Sequence, residues 1–157
     1  MNDYAQSANT LETVDCGDGW RETLHGFAFV WRGVRYLIPL AFRFNGLSVP
    51  RLLHWWEAPW GEWTLIPAAI HDYLYGAQIT TRHSADRCFY AALCYQARLH
   101  YPVDGRGLRL FFQRRILAIK LRRARMMYHA VRRWGGAYWI AARMDRERGR
   151  KVRACNE

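Results

Sequence analysis

Lysine is nearly missing from this 157-residue chain: of 24 basic residues only Lys120 and Lys151 are lysine, and the rest are arginine. Acidic residues are also scarce, 13 in all, which leaves a net charge of +11. From Arg106 to the end there are 16 basic residues against three acidic ones, Asp145, Glu147 and Glu157. A surface of that density is unsuited to cationic partners and favours polyanions: nucleic acid, acidic lipid headgroups or an acidic protein. The four cysteines lack CxxC or Cys/His spacing, which argues against a zinc site. Cys88 and Cys94 stand too far apart on one predicted helix to pair with each other, so reduced thiols acting as small apolar fillers are expected. No apolar run reaches bilayer length, and the opening "MNDYAQSANTLETVDCGDGW" has no basic start leading into an apolar core. Neither a spanning helix nor a secretory signal is therefore expected. A soluble, cytoplasmic chain is the expectation.

What is present is a globular composition, 51% hydrophobic and 15% aromatic, enough for one domain with a real core. The expected divisions are a polar lead over 1–24, a single globular domain over 25–145 and a basic tail over 146–157. Within the domain, "FAFVW" and "VRYL" around Arg32-Gly33 read as a β-hairpin, with Pro39 ending regular pairing or marking an edge. "FNGLSVPR" reads as a loop leading to a short helix, and four tryptophans follow: Trp55, Trp56, Trp60 and Trp63. A helix is expected over about 65–75 with Gly76 as its stop, and a second over 82–99 with Thr81 as its N-cap. Arg106–Trp134 reads as one long basic amphipathic helix or two with a break, ended by "WGGAYW". Leu110, Leu117, Leu121, Ala124, Tyr128 and Val131 share one face of it, roughly opposite Arg115, Arg122, Arg125, His129 and Arg133. The expected class is α+β: an N-terminal β-hairpin, then a mostly helical body around a central antiparallel helix pair.

The stretch "AAIHDYLYGAQITTRHSADRCF" holds the candidate chemistry. Two helices joined by a short loop run antiparallel. The loop centre falls between residues 78 and 79, so His71 and Asp86 stand at the same height on facing helices. A carboxylate bonded to one imidazole nitrogen fixes the tautomer and steadies the imidazolium, leaving the other nitrogen to take a proton from water. Asp72, rotated by about 100°, points elsewhere and is suited to a hard divalent cation. The plainer reading is a buried His–Asp pair tying two helices together, with Arg82 or Arg87 also able to satisfy the carboxylates. The spacing of His54, His71-Asp72 and Asp86 is too compressed for an HD-type phosphohydrolase bundle.

Taken in order, "SVPR", "APWGEW", "AAIHDYLYG", "TRHSADRCFYAAL" and "MYHAVRRWGGAYW" resemble an uncharacterised family widespread in phages and prophages. That implies a phage or prophage accessory protein without implying an activity. The family usually has Asp where Asn45 stands, so a loop carboxylate is missing here. "HDYLY" followed by "ADRCFYAAL" is also similar to the paired-helix core of secretory phospholipases of the A-two type. That resemblance implies His71 as general base, Asp86 as its partner, Tyr75 at the tyrosine position and Asp72 as a calcium ligand, with Asn45 the nearest loop oxygen. The Gly-rich calcium loop has no clear counterpart. Under this reading the tryptophans are interfacial, set at a headgroup boundary. Otherwise they are a compact aromatic cluster. The competing class is a non-enzymatic virion, assembly or host-interaction protein whose arginines Arg115, Arg122, Arg125 and Arg133 bind nucleic acid, anionic lipid or a phage or host protein partner.

Overall fold

The hairpin expected around Arg32-Gly33 is the heart of the first sheet. In a computed structural model, which describes residues 3–6, 10–45 and 61–147 (side chains as far as Met144), Phe27–Trp31 forms strand β4. Its Phe27, Phe29 and Trp31 turn inward, the period of two that a half-buried strand requires. Arg32 and Gly33 both have positive φ, 51° and 79°, as a two-residue type I′ turn demands, and the chain returns as β5, Val34–Ile38. Phe29 pairs with Tyr36 across the hairpin, ring centroids 5.1 Å apart.

The polar lead turns out to be structured. Tyr4–Gln6 is strand β1, which pairs with β4 to give a three-stranded sheet of order β1-β4-β5. Thr13–Gly17 and Trp20–Thr23 are β2 and β3, joined through Asp18-Gly19, and β6, Arg43–Phe44, completes a second sheet of order β2-β3-β6. These strands are short and mostly solvent-facing, which is why no hydrophobic alternation advertises them; the Asp-Gly turn was their one local signal. Thr23 ties the segments together, its hydroxyl donating to the Pro39 carbonyl at 2.8 Å and accepting from the Phe42 amide at 3.0 Å.

Among the described residues three helices follow: α1 Leu65–Ala77, α2 Arg82–His100 and α3 Gly107–Glu147. The first two form the expected antiparallel pair. Thr81 caps α2, accepting from the Ser84 amide at 3.2 Å. The end of α1 differs from expectation: Gly76 stays helical, and Gln78 takes the left-handed position (φ 48°) that closes the helix. Gly76 is exposed and a Cβ there would meet nothing within 4 Å. Gly76→Ala should therefore raise stability by about 0.5–1 kcal/mol, read from the urea midpoint.

The third helix also differs. It runs unbroken through Gly135-Gly136 instead of ending there. Each helical glycine costs about 1 kcal/mol relative to alanine, and the compensation lies in what approaches the pair, described below. One core cluster joins the sheets to α1 and α2 through Phe27, Phe29, Ile38, Ile70 and Leu74. A second joins α2 to α3 through Phe89, Leu93, Ala124 and Val131. Cys88 and Cys94 are free and buried as expected, whereas Cys16 is disulfide-bonded, which corrects the expectation of reduced thiols for that residue. Among the described residues no helix is long and apolar enough to cross a membrane.

Candidate functional site

The helix pair does bring His71 and Asp86 together. Small residues let the helices close: Ala68 and Ala69 on α1 and Ala85, Cys88 and Ala92 on α2 are all fully buried. Asp86 is 0% exposed and His71 4%. The imidazole Nε2 lies 3.1 Å from Asp86 Oδ1. One turn beyond His71, the Tyr75 hydroxyl donates to the same oxygen at 2.7 Å. The other carboxylate oxygen accepts from Arg132 Nη1 at 2.8 Å. Arg82, one turn before Asp86, holds its Nε 3.8 Å from Oδ2 and 3.4 Å from the Tyr75 hydroxyl. It is anchored by donating from Nη2 to the carbonyls of Val131 and Arg132 at the end of the core face of α3.

The electrostatics follow from this geometry. Burial by itself would raise the Asp86 carboxyl, but hydrogen bonds from His71, Tyr75 and Arg132 outweigh it and hold the group below its ordinary range. Burial pushes the His71 imidazole down; the bond and charge of Asp86 oppose that shift without overcoming it, and Arg82 adds to the lowering. The resident state is a neutral imidazole donating Nε2–H to an ionised carboxylate. Nδ1 then carries the lone pair, 4.0 Å from Asp72 Oδ1, beyond hydrogen-bond length.

Both shifts destabilise the fold in acid. A histidine with a depressed native pKa stabilises the protein above its unfolded value near 6.5, and that contribution is lost as pH falls toward the native value. Asp86 acts likewise below its unfolded value of 3.8. Thermal unfolding should show Tm falling between pH 7.5 and 5, and a His71→Gln variant should show a flatter profile across that window.

Arg132 was not among the sequence candidates, which included its neighbour Arg133. The signal was present in "VRRWGG": Arg132 and Gly135-Gly136 lie within one turn, and the glycines admit the site. A Cβ on Gly135 would stand 2.7 Å from the Tyr75 hydroxyl, and one on Gly136 would stand 3.2 Å from Arg82 Nη1. Trp139 continues this wall, edge-on to Tyr75 at 5.0 Å, and its carbonyl accepts from Gln78 Nε2 at 2.7 Å. Gly135→Ala should accordingly destabilise by about 1–3 kcal/mol despite its gain in helix propensity. Tyr75→Phe, which removes the obstructing oxygen, should abolish most of that penalty in a double-mutant cycle.

The remaining candidates fall apart from this centre. Trp63 is 2% exposed, with Lys120 Nζ 5.0 Å from its ring, so its burial in the second core cluster corrects an interfacial role for it. Trp55, Trp56, Trp60 and the "SVPR" loop lie outside the described residues. Arg115, Arg122, Arg125 and Arg133 are exposed along α3 as expected. Arg87, proposed as a carboxylate partner, instead lines a cavity of about 580 Å³ with Trp31, Tyr90, Tyr95 and Arg98; neither His71 nor Asp86 borders it. Asn45 stands exposed at the end of β6. Calcium takes six to eight oxygen ligands. Among the described residues no group of three His, Cys, Asp or Glu could hold a metal ion, and Asp72 is the carboxylate that lies beside Nδ1.

With the geometry in hand, one comparison is informative. Residues 27–100 match the model of DUF1353, a family of proteins of unknown function. The matched stretch spans the β4–β5 hairpin and both helices of the pair, and so contains His71, Asp72, Tyr75, Arg82 and Asp86. Arg132 and the glycine pair lie beyond it. No curated protein and no solved structure matches the chain.

Proposed function

We propose that this chain is a phage or prophage accessory protein with a hydrolase site in which His71 is the general base. The supporting observation is the 3.1 Å contact between His71 Nε2 and Asp86 Oδ1, made to a carboxylate that Tyr75 and Arg132 also hold. That contact fixes the tautomer and leaves Nδ1 basic. In the proposed reaction Nδ1 takes a proton from water while the oxygen attacks the carbonyl carbon of a carboxylic ester. Asp86 steadies the imidazolium. Collapse of the tetrahedral intermediate breaks the bond to the alcohol oxygen, and His71 returns the proton to it. The similarity of "HDYLY…ADRCFYAAL" to secretory phospholipases makes phospholipid the candidate ester. Calcium enters only through that similarity, and no step above passes through a cation.

A second reading has its own observation. His71 and Asp86 are almost wholly buried, and a centre closed to solvent suits a clamp between helices in a non-enzymatic interaction protein. Fatty-acid release from phosphatidylglycerol vesicles, with calcium or with chelator, separates the two. The hydrolase reading expects release by wild type and a fall of about 10²–10⁴-fold in His71→Ala. Folded wild type without activity, or a mutant as active as wild type, overturns it.

A further inference from the structure

The outer face of α3 carries an anomaly that the His71 site does not use. Between Gly107 and Met144 the helix has ten basic side chains and no acidic one. On the same exposed side it leaves large apolar groups in water: Leu108 is 72% exposed, and Phe112, Ile116, Ile119 and Met126 are each exposed by more than two-fifths. At roughly 100° per residue, Leu108, Phe112, Ile119 and Met126 fall within about 40° of one another, with Ile116 alongside. Arg115 and Arg122 border this ridge on one side, and Arg114 and Arg125 lie beyond them. The opposite face, with Leu117, Leu121, Ala124 and Val131, packs in the second core cluster. The helix is thus apolar on two sides, one of them with nothing described against it, and a contiguous exposed apolar patch marks an interaction surface.

We infer that the Leu108–Met126 face of α3 docks on an anionic lipid bilayer, lying in the headgroup plane with the apolar ridge inserted and the arginines on phosphates. Charge complementarity selects this occupant. A second copy of the chain would bring the same arginines, with no acid on α3 between residues 107 and 144 to meet them. A nucleic acid backbone would satisfy the arginines and leave Leu108, Phe112 and Ile119 in water. An anionic bilayer offers hydrocarbon and negative charge side by side along a helix. The inference stands apart from the proposed hydrolase site and does not require it.

Co-sedimentation of the full chain with vesicles of non-hydrolysable ether lipids tests it without involving hydrolysis. With 30% phosphatidylglycerol the protein should pellet, and with phosphatidylcholine alone it should stay in the supernatant. Replacing Arg114, Arg115, Arg122 and Arg125 by alanine should weaken binding at least tenfold. Phe112→Ser with Ile119→Ser should do the same while leaving far-UV circular dichroism unchanged, because both side chains are exposed. Equal binding to both vesicle types, or none to either by folded protein, overturns the inference. So does salt-sensitive retention of DNA without vesicle binding, or a dimer in sedimentation equilibrium that the Phe112/Ile119 variant abolishes.

Discussion

Replacing Asp86 by alanine is expected to lower the unfolding free energy by about 3–5 kcal/mol, the cost of removing one partner from a buried charged network. The loss is large because Asp86 is the common acceptor. His71 and Tyr75 share one of its oxygens and Arg132 takes the other, so its removal strands two buried donors and loosens α3 from the helix pair. Arg132 adds less, since its side chain is 35% exposed and water can replace the carboxylate. Asp86→Asn keeps one acceptor oxygen but turns an amide N–H₂ toward a donor, so about 1–3 kcal/mol should be lost. His71→Gln should cost less than Asp86→Ala, because the carboxylate keeps Tyr75 and Arg132. Urea denaturation of the three variants checks the order. If His71→Gln proves as costly as Asp86→Ala, the carboxylate is not the hub of the network.

The legible part of this centre was the part with local rules. A short loop with Thr81 as N-cap and residues 78–79 at its middle fixes which residues stand level on two helices, and His71 and Asp86 are level. Tyr75, one turn from His71, comes with them. Arg82 was one of two arginines within reach, and rotation about α2 chose it: Arg82 is one turn before Asp86 and shares its face, whereas Arg87 is the next residue and turns toward solvent and the cavity. Arg132 was hidden because 46 residues separate it from Asp86, and no local periodicity sets the rotation of α3 against α2. The Gly135-Gly136 pair reads locally as a helix end, and only the bulk of Tyr75 and Arg82 opposite it explains why it is tolerated within a helix. Two strands of the first sheet announced themselves as β-rich runs on either side of Arg32-Gly33, but β1, inside the polar lead, did not. The strands of the second sheet did not, since their faces are half in water and tertiary pairing holds what propensity leaves open.

Phe89→Ala should be as costly as the loss of Asp86, at about 3–5 kcal/mol, and more informative about the imidazole. Phe89 is fully buried on α2, one turn from Asp86, with its ring centroid 4.8 Å from that of His71. Together with Tyr75, whose ring lies 4.1 Å away, it encloses the imidazole in low-dielectric surroundings. Burial is the largest cause of the lowered His71 pKa. Removing the phenyl ring opens a cavity beside a polar group, which makes room for water. Water there weakens the penalty on the charged form and leaves the Asp86 hydrogen bond and charge, which favour it, in place. The His71 pKa should therefore rise from its lowered position, as followed by the imidazole C–H resonances against pH. The acid-sensitive part of the stability profile should shift with it: the variant, though less stable at neutral pH, should lose less on acidification between pH 7.5 and 5. An unchanged His71 titration in a folded Phe89→Ala protein would mean that burial is not what keeps this imidazole neutral.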